Sequence, residues 1–284
     1  MENFIQLLNK INDFVWGLPL IILLLGTGIY YTFLLKGLQF RKLGHSLYLA
    51  FIKRKEEGNS GEGDISHFQA LMTALAGTVG TGNIAGVAGA ISVGGPGALF
   101  WMWLAAFFGM ATKYAEGMLA VKYRVIAEDG HALGGPFYYI EKGMGKNFKW
   151  LAKLFCVFGT MVGLFGIGTF TQVNGITSAV NNFFDPSNVH TISLFGMNYS
   201  ISVVVAGIIV TICAGLVIIG GIKRISKVSE VIVPFMAVTY IGVCLIIVFT
   251  HLPQVPAAFV QIVQSAFGLK AVAGGAIGAM TVAM

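Results

Sequence analysis

Apolar residues in this chain run on for long stretches instead of alternating or recurring once per helical turn. Six stretches, 14–35, 68–92, 97–121, 151–180, 199–221 and 228–250, are apolar over about the 20 residues that a helix needs to cross a bilayer. A seventh begins near Ala266 and is still apolar at Met284, which reads as an N-terminal fragment of a longer protein. The pattern predicts an all-α, polytopic membrane protein with a single transmembrane domain over 1–284.

Polar positions gather between these stretches. Residues 1–13 form an amphipathic lead-in. The segment 53–66, KRKEEGNSGEGDIS, is the most hydrophilic, and Asp64 or Ser66 is placed to cap the helix that follows. SVGGPGA (92–98) predicts a tight turn. GGPFYYIEKGMG, within 125–149, predicts a short interfacial helix with Tyr138 and Tyr139 at headgroup level. Residues 182–198, with Asp185 and Pro186, read as an outer loop, and 251–265 as an amphipathic helix on the outer surface.

Composition agrees. Only 11% of residues are charged and 56% are hydrophobic, against about 25% charged in a soluble domain. Cys156, Cys213 and Cys244 all lie in apolar stretches and form no C-x-x-C, so neither a disulfide framework nor a metal site is indicated. The first apolar run is too long for a cleaved signal and lacks a basic leader.

The net charge of +6 raises the possibility of nucleic acid, but its distribution excludes it. Lys36, Arg41, Lys42, Lys53, Arg54 and Lys55 follow the first stretch. Lys122, Arg124, Lys142, Lys146, Lys149 and Lys153 follow the third, and Lys223, Arg224 and Lys227 the fifth. Basic residues on alternate loops are the positive-inside pattern. It puts the N-terminus outside and residues 36–67 inside.

Within the second stretch lies GTVGTGNIAG, Gly77–Gly86. Through Gly80, Gly82 and Ala85 it fits a dinucleotide fingerprint, G-x-G-x-x-A. That fingerprint needs a strand before it and an acidic residue about 20 positions later. Here both flanks are apolar and the later positions, around Phe100–Ala106, hold no acid. A potassium filter is excluded too, because it needs a short re-entrant loop and this run sits inside a full-length stretch. Close helix packing explains the glycines but not Thr78, Thr81 and Asn83 among them. An asparagine at bilayer depth is costly without a partner. A broken helix explains all of them. Glycine costs about 1 kcal/mol relative to alanine inside a helix, so the run unwinds readily. Unwinding frees carbonyls for a cation and amides for an anion. AVAGGAIGAM (271–280) is a second glycine-broken run. Hard oxygen ligands suit a hard cation.

GDISHFQALMTALAGTVGTGNIAGVAGAI (63–91) and GGPGALFWMWLAAFFGMATKYAEG (94–117) resemble the sodium:alanine symporters, the alanine-or-glycine:cation symporter family. GGPFYYIEKG (134–143) and GGAIG agree. The resemblance implies a leucine-transporter-like fold of two inverted five-helix repeats. On that plan 14–35 is an extra span, 68–250 the first repeat, and 266–284 the opening helix of the second. It further implies sodium-coupled symport of alanine, glycine or a similar small neutral amino acid in the cell membrane, with sodium as coupling ion and no other cofactor. The partners implied are the amino acid, sodium and membrane lipid. The rival is a proton- or sodium-coupled carrier of another amino acid or organic solute.

The leucine-transporter group carries A-V-G-L-G-N in its first broken helix. Matching it implies sodium contacts from the carbonyls of Ala76 and Val79. It implies Thr78 and Asn83 near the substrate carboxylate or a second cation, and the amides of Thr81 and Gly82 on that carboxylate. Gly77 stands where that pattern has a coordinating asparagine, and Thr81 where it has leucine.

Other polar residues in the apolar stretches are fewer. Gln172, beside Thr171 and Asn174, is read either as a substrate ligand, for ammonium or carboxylate, or as a bond between helices. Lys113 and Glu116 are spaced to pair on one helix face. Gly159 and Gly163 read as a close helix contact, and Trp16, Trp101 and Trp103 as an aromatic belt. No nucleophile–base pair or phosphate loop is present, so no enzyme is indicated.

Overall fold

The computed structural model describes residues 2–52, 65–166, 168–194 and 196–268. Residues 53–64 of the hydrophilic linker and 269–284 of the seventh stretch lie outside these, and with them the second glycine-broken run.

The described chain is largely helical. The lead-in is helix α1, Glu2–Val15, followed by α2, Leu18–Leu34. Two short helices follow, α3 (Leu38–Arg41) and α4 (Leu43–Leu47). The second stretch is divided between α5, His67–Thr78, and α6, Ala85–Gly94. The long helix α7 spans Ala98–Lys122, and α8 spans Pro136–Gly143. Next come α9 (Lys149–Leu164), α10 (Thr169–Phe184), α11 (Ile201–Ile218), the 30-residue α12 (Gly221–Thr250) and α13 (Val255–Ser265). Two antiparallel ribbons sit in the connections: β1 (Val125–Ile126) with β2 (Ala132–Leu133), and β3 (Thr191–Leu194) with β4 (Met197–Ser200). Thus the loop expected at 182–198 is partly a hairpin, whose turn includes Gly196 at φ +80°.

Four helical stretches are long and apolar enough to cross a membrane: Asn3–Leu34, Lys146–Phe184, Ile201–Ile218 and Gly221–Thr250. A fifth is the bent pair α5 and α6. Most buried positions are small, among them Ala90, Ala98, Ala111, Ala115, Ala152, Ala206, Ser226 and Ser229; Met72, Val233 and Gln39 are larger residues that are also buried. The leucines, isoleucines and phenylalanines of α2, α11 and α12 are mostly exposed. A soluble domain would bury them. Small residues inside and large apolar ones outside is how helices pack when lipid is the solvent. Gly28 is one such contact, since a Cβ there would lie 2.8 Å from the carbonyl oxygen of Phe108 on α7.

One expected span, 151–180, lies within Lys146–Phe184 but is interrupted. The stretch 151–180 is not one helix. It breaks at Phe165–Gly168, between α9 and α10. Gly166 at φ +62° and Gly168 at φ +86° are left-handed, and a right-handed helix cannot pass through them. The packing role expected for Gly159 and Gly163 is also not seen, because a Cβ at either would meet nothing within 4 Å among the described residues. The last complete stretch starts earlier than 228, at Gly221, so α12 takes in the whole basic cluster Lys223, Arg224 and Lys227.

The predicted connections hold elsewhere. Ser66 caps α5: its Oγ accepts from the Gln69 N–H, and Gln69 Oε1 accepts from the Ser66 N–H, both at 3.2 Å. Lys113 and Glu116 pair at 3.1 Å on an exposed face. Trp101 and Trp103 join α13 to α7. The Trp101 indole donates to the Ala266 carbonyl, and Trp103 packs on Phe259.

Candidate functional site

The site begins where α5 ends. Gly80 is extended (φ −155°, ψ −159°), and a single helical turn, Thr81–Asn83, then leads into α6. The two halves meet at 65°. Glycine at 80 and 82 and β-branched residues at 78, 79 and 81 weaken the helix locally.

Hydrogen bonding at the break can be followed donor by donor. In an unbroken helix the N–H groups of Gly80, Thr81, Gly82 and Asn83 would serve the carbonyls of Ala76, Gly77, Thr78 and Val79. None does. The Gly80 N–H donates to Asn83 Oδ1 at 2.8 Å. The Thr81 N–H donates to Gln172 Oε1 at 2.9 Å. The Asn83 N–H turns back to the Gly80 carbonyl at 3.1 Å. The Gly82 N–H has no hydrogen-bond partner among the described residues. Four consecutive carbonyls, Ala76 to Val79, therefore lack their helical donors. The open Gly82 amide follows them in the chain, after the extended Gly80.

Asn83 thus has the partner that its depth demands. Its side chain closes the turn that its own backbone begins. Its Oδ1 has a second lone pair.

Gln172 comes from the first turn of α10. Its Oε1 accepts from Thr81 twice, from the N–H at 2.9 Å and from Oγ1 at 2.8 Å. A backbone N–H can only donate, so the oxygen of the Gln172 amide must face it, and Nε2 carries the remaining donors. Of the two readings open for Gln172, the bond between helices is the one made here. Its neighbours take no part. Thr171 Oγ1 donates to the Gly168 carbonyl of its own helix.

Thr78 lies apart from this network. Its hydroxyl donates back to Ala74 and Leu75, at 3.0 and 3.3 Å, and the residue is exposed. The structure thus brings together Thr81, Asn83 and Gln172, with Gly82 beside them, and turns the Thr78 side chain away. It also joins residues that no linear pattern links. Gln69 Nε2 donates to Glu230 Oε2 at 2.9 Å, fixing the first half of the broken helix to α12.

The second apolar stretch is thus bent by 65°, with carbonyls lacking helical donors before the break and the open Gly82 amide after it. The profile of the sodium:alanine symporter family matches residues 1–284. The chain belongs to the sodium:alanine symporter family.

Among individual relatives, an uncharacterized transporter of Haemophilus influenzae is 52% identical over 96% of this chain and 55% of its own length. The sodium/alanine symporter AgcS of Methanococcus maripaludis is 46% identical over 97% of this chain and 57% of its own length. A probable sodium/glutamine symporter of Bacillus subtilis, GlnT, is 40% identical over 94% of this chain and 52% of its own. The chain spans about half the length of the curated relatives it matches. The symporter family and these relatives are transporters, not enzymes. With its apolar helices, the chain is a multi-pass membrane protein.

Proposed function

We propose that the complete protein is a sodium-coupled symporter of alanine, glycine or a similar small neutral amino acid, working by alternating access in the cell membrane. The observation that carries this reading is the run of four carbonyls, Ala76 to Val79, stripped of helical donors beside the open Gly82 amide. In it, the carbonyls of Ala76 and Val79 hold sodium. Thr78 and Asn83 stand near the substrate carboxylate or a second cation. The Gly82 amide takes the carboxylate. The Thr81 amide, bonded here to Gln172, joins it once that glutamine gives way. Sodium is the coupling ion, with no other cofactor, and the partners are the amino acid and lipid.

We further propose the leucine-transporter-like arrangement. In it, 14–35 is an additional span, 68–250 a five-helix repeat and 266–284 the first helix of an inverted second repeat. Basic residues on alternate loops support an outside N-terminus.

Energetics suffice with one ion. A charge crossing 100 mV contributes about 2.3 kcal/mol, and a tenfold sodium gradient adds about 1.4 kcal/mol. Together they sustain accumulation of a few hundredfold. The relative named a probable sodium/glutamine symporter favours a second reading, in which the same break serves a larger side chain.

Uptake of labelled alanine into proteoliposomes containing the complete protein, with and without a sodium gradient, tests the proposal. Sodium-dependent uptake is expected, competed by glycine more strongly than by glutamine. Competition in the reverse order supports the second reading, and sodium-independent or absent alanine uptake rejects the first.

A further inference from the structure

Thr81 uses both branches of its side chain against α10. Oγ1 donates to Gln172 Oε1 at 2.8 Å. The other branch, Cγ2, points at Gly175, where an added Cβ would lie 2.8 Å from Cγ2 and 3.3 Å from Thr81 Cβ. Carbon atoms in good contact are about 3.5–4.0 Å apart, so nothing larger than hydrogen fits there. Gln172 and Gly175 are three residues apart and share one helix face. In consequence α10 presents a polar group and, one turn later, a gap. Thr81 presents a hydroxyl and a methyl that fit them together.

The fit is reciprocal. A Cβ on Gly80 would lie 2.5 Å from Gln172 Nε2 and 2.8 Å from its Oε1. The glutamine therefore lies directly against the extended backbone of the break, and a side chain at 80 would lift it. Gly175 itself is poorly suited to a helix interior, costing about 1 kcal/mol relative to alanine. Its φ is unexceptional, so backbone conformation does not call for it; the space taken by Thr81 Cγ2 does.

We propose that Gly175 is a positioning residue for the symport site. It sets how closely α10 approaches the broken helix, so that the Gln172 carbonyl reaches both donors of Thr81. Gly175 touches no ligand in this scheme. It acts through Thr81, and the pair is matched in size: glycine with threonine, or a larger residue with a smaller partner. Serine at 81 retains the hydroxyl and the N–H and loses only the methyl. The uptake readout rests on the transport reading given above, whereas the fit itself does not.

The test uses Gly175→Ala, Thr81→Ser and the double variant in the complete protein. Two quantities are read: sodium-dependent alanine uptake, and hydrogen exchange of the peptide spanning residues 79–84. Gly175→Ala is expected to raise KM for alanine about tenfold, with a smaller change in maximal rate, as overpacking of this size does. It should also speed exchange at 79–84. Thr81→Ser alone is the reference for loss of the methyl, and adding it to Gly175→Ala should bring both readouts back from the Gly175→Ala values toward those of Thr81→Ser. If Gly175→Ala fails to reach the membrane, the double variant is expected to restore insertion. Three results overturn the proposal: an unchanged Gly175→Ala, a double variant as impaired as the single, or a loss confined to maximal rate. If exchange follows the expected pattern while the wild type takes up no alanine, the pairing stands and the transport reading falls.

Discussion

Gln69 Nε2 donates to Glu230 Oε2 at 2.9 Å while its own Oε1 caps the Ser66 N–H at 3.2 Å. One side chain thus starts α5 and fastens it to α12. Among the described residues the second half of the broken helix makes no such bond to α12; α6 packs on α7, and the turn Thr81–Asn83 packs on α10. The two halves are therefore held by different parts of the molecule, which is what a hinge at Val79–Gly80 requires.

Removing that tie should loosen the first half alone. Glu230→Ala is expected to cost about 1.5–3 kcal/mol, the range for a hydrogen bond to a charged group. Glu230→Gln keeps an acceptor and should cost less. Thermal unfolding in detergent measures the loss, and a cycle with Gln69→Ala should show coupling between the two positions. Strictly additive losses would mean that the bond contributes nothing.

Asn83 is the residue most exposed to chemical substitution. Asn83→Ala leaves the part-buried Gly80 N–H without its 2.8 Å acceptor, at a cost of about 1 kcal/mol, the lower end of the range for an unsatisfied donor. Sodium-coupled uptake by the complete protein should be abolished while membrane insertion is intact. Asn83→Asp keeps the acceptor and should retain the bend, so its uptake should exceed that of the alanine variant. Uptake assays beside surface quantification decide this, and normal uptake by Asn83→Ala would refute the role.

How far the sequence reached can be seen at single residues. The break at Gly80 was legible, because Gly80, Gly82 and Asn83 combine weak helix propensity with a polar group too deep to be left alone. So was the cap at Ser66, because S-x-x-Q before an apolar run is a local signal. The break at Gly166–Gly168 was not. Glycines in an apolar stretch serve close packing or a left-handed turn equally well, and only backbone angles of +62° and +86° separate the two. Gln172 stood out as polar, but its acceptor role depends on Thr81, 91 residues away. Gly175 carried one faint sign, its spacing of three from Gln172. The partner of Trp101, the Ala266 carbonyl, lies 165 residues on. Local chemistry was readable; pairings across the fold were not.

The turn between α6 and α7 is pressed against the end of α13. A Cβ on Gly97 would collide with the backbone of Ser265 and Ala266, beside the Trp101–Ala266 bond. Backbone cannot yield as a side-chain tip does. Gly97→Val should therefore push α13 away and cost at least about 1–3 kcal/mol. Limited proteolysis near Ser265 should become faster than in wild type. Trp101→Phe, which removes the donor but no volume at Gly97, should have the smaller effect.

Acid should loosen the connection that follows α10. The Asp185 carboxylate follows α10 directly and accepts from the Val189 N–H at 2.8 Å, the His190 N–H at 3.1 Å and Ser200 Oγ at 3.1 Å. The bond from Val189 is the largest influence, and with the others it holds the Asp185 pKa below its ordinary value despite partial burial. A carboxylate with a depressed folded pKa stabilises fully above the unfolded value, about 3.9. That contribution is lost as pH falls through the lower folded pKa. The hairpin β3–β4 should stay seated down to about pH 4 and loosen only below it. Hydrogen exchange over residues 186–200, corrected for intrinsic rates, should show protection that collapses at the acid end. Asp185→Asn cannot supply the charge, so its protection should already be low at neutral pH and change little on acidification. If wild type and Asp185→Asn gave the same profile, the carboxylate would not be what holds the loop.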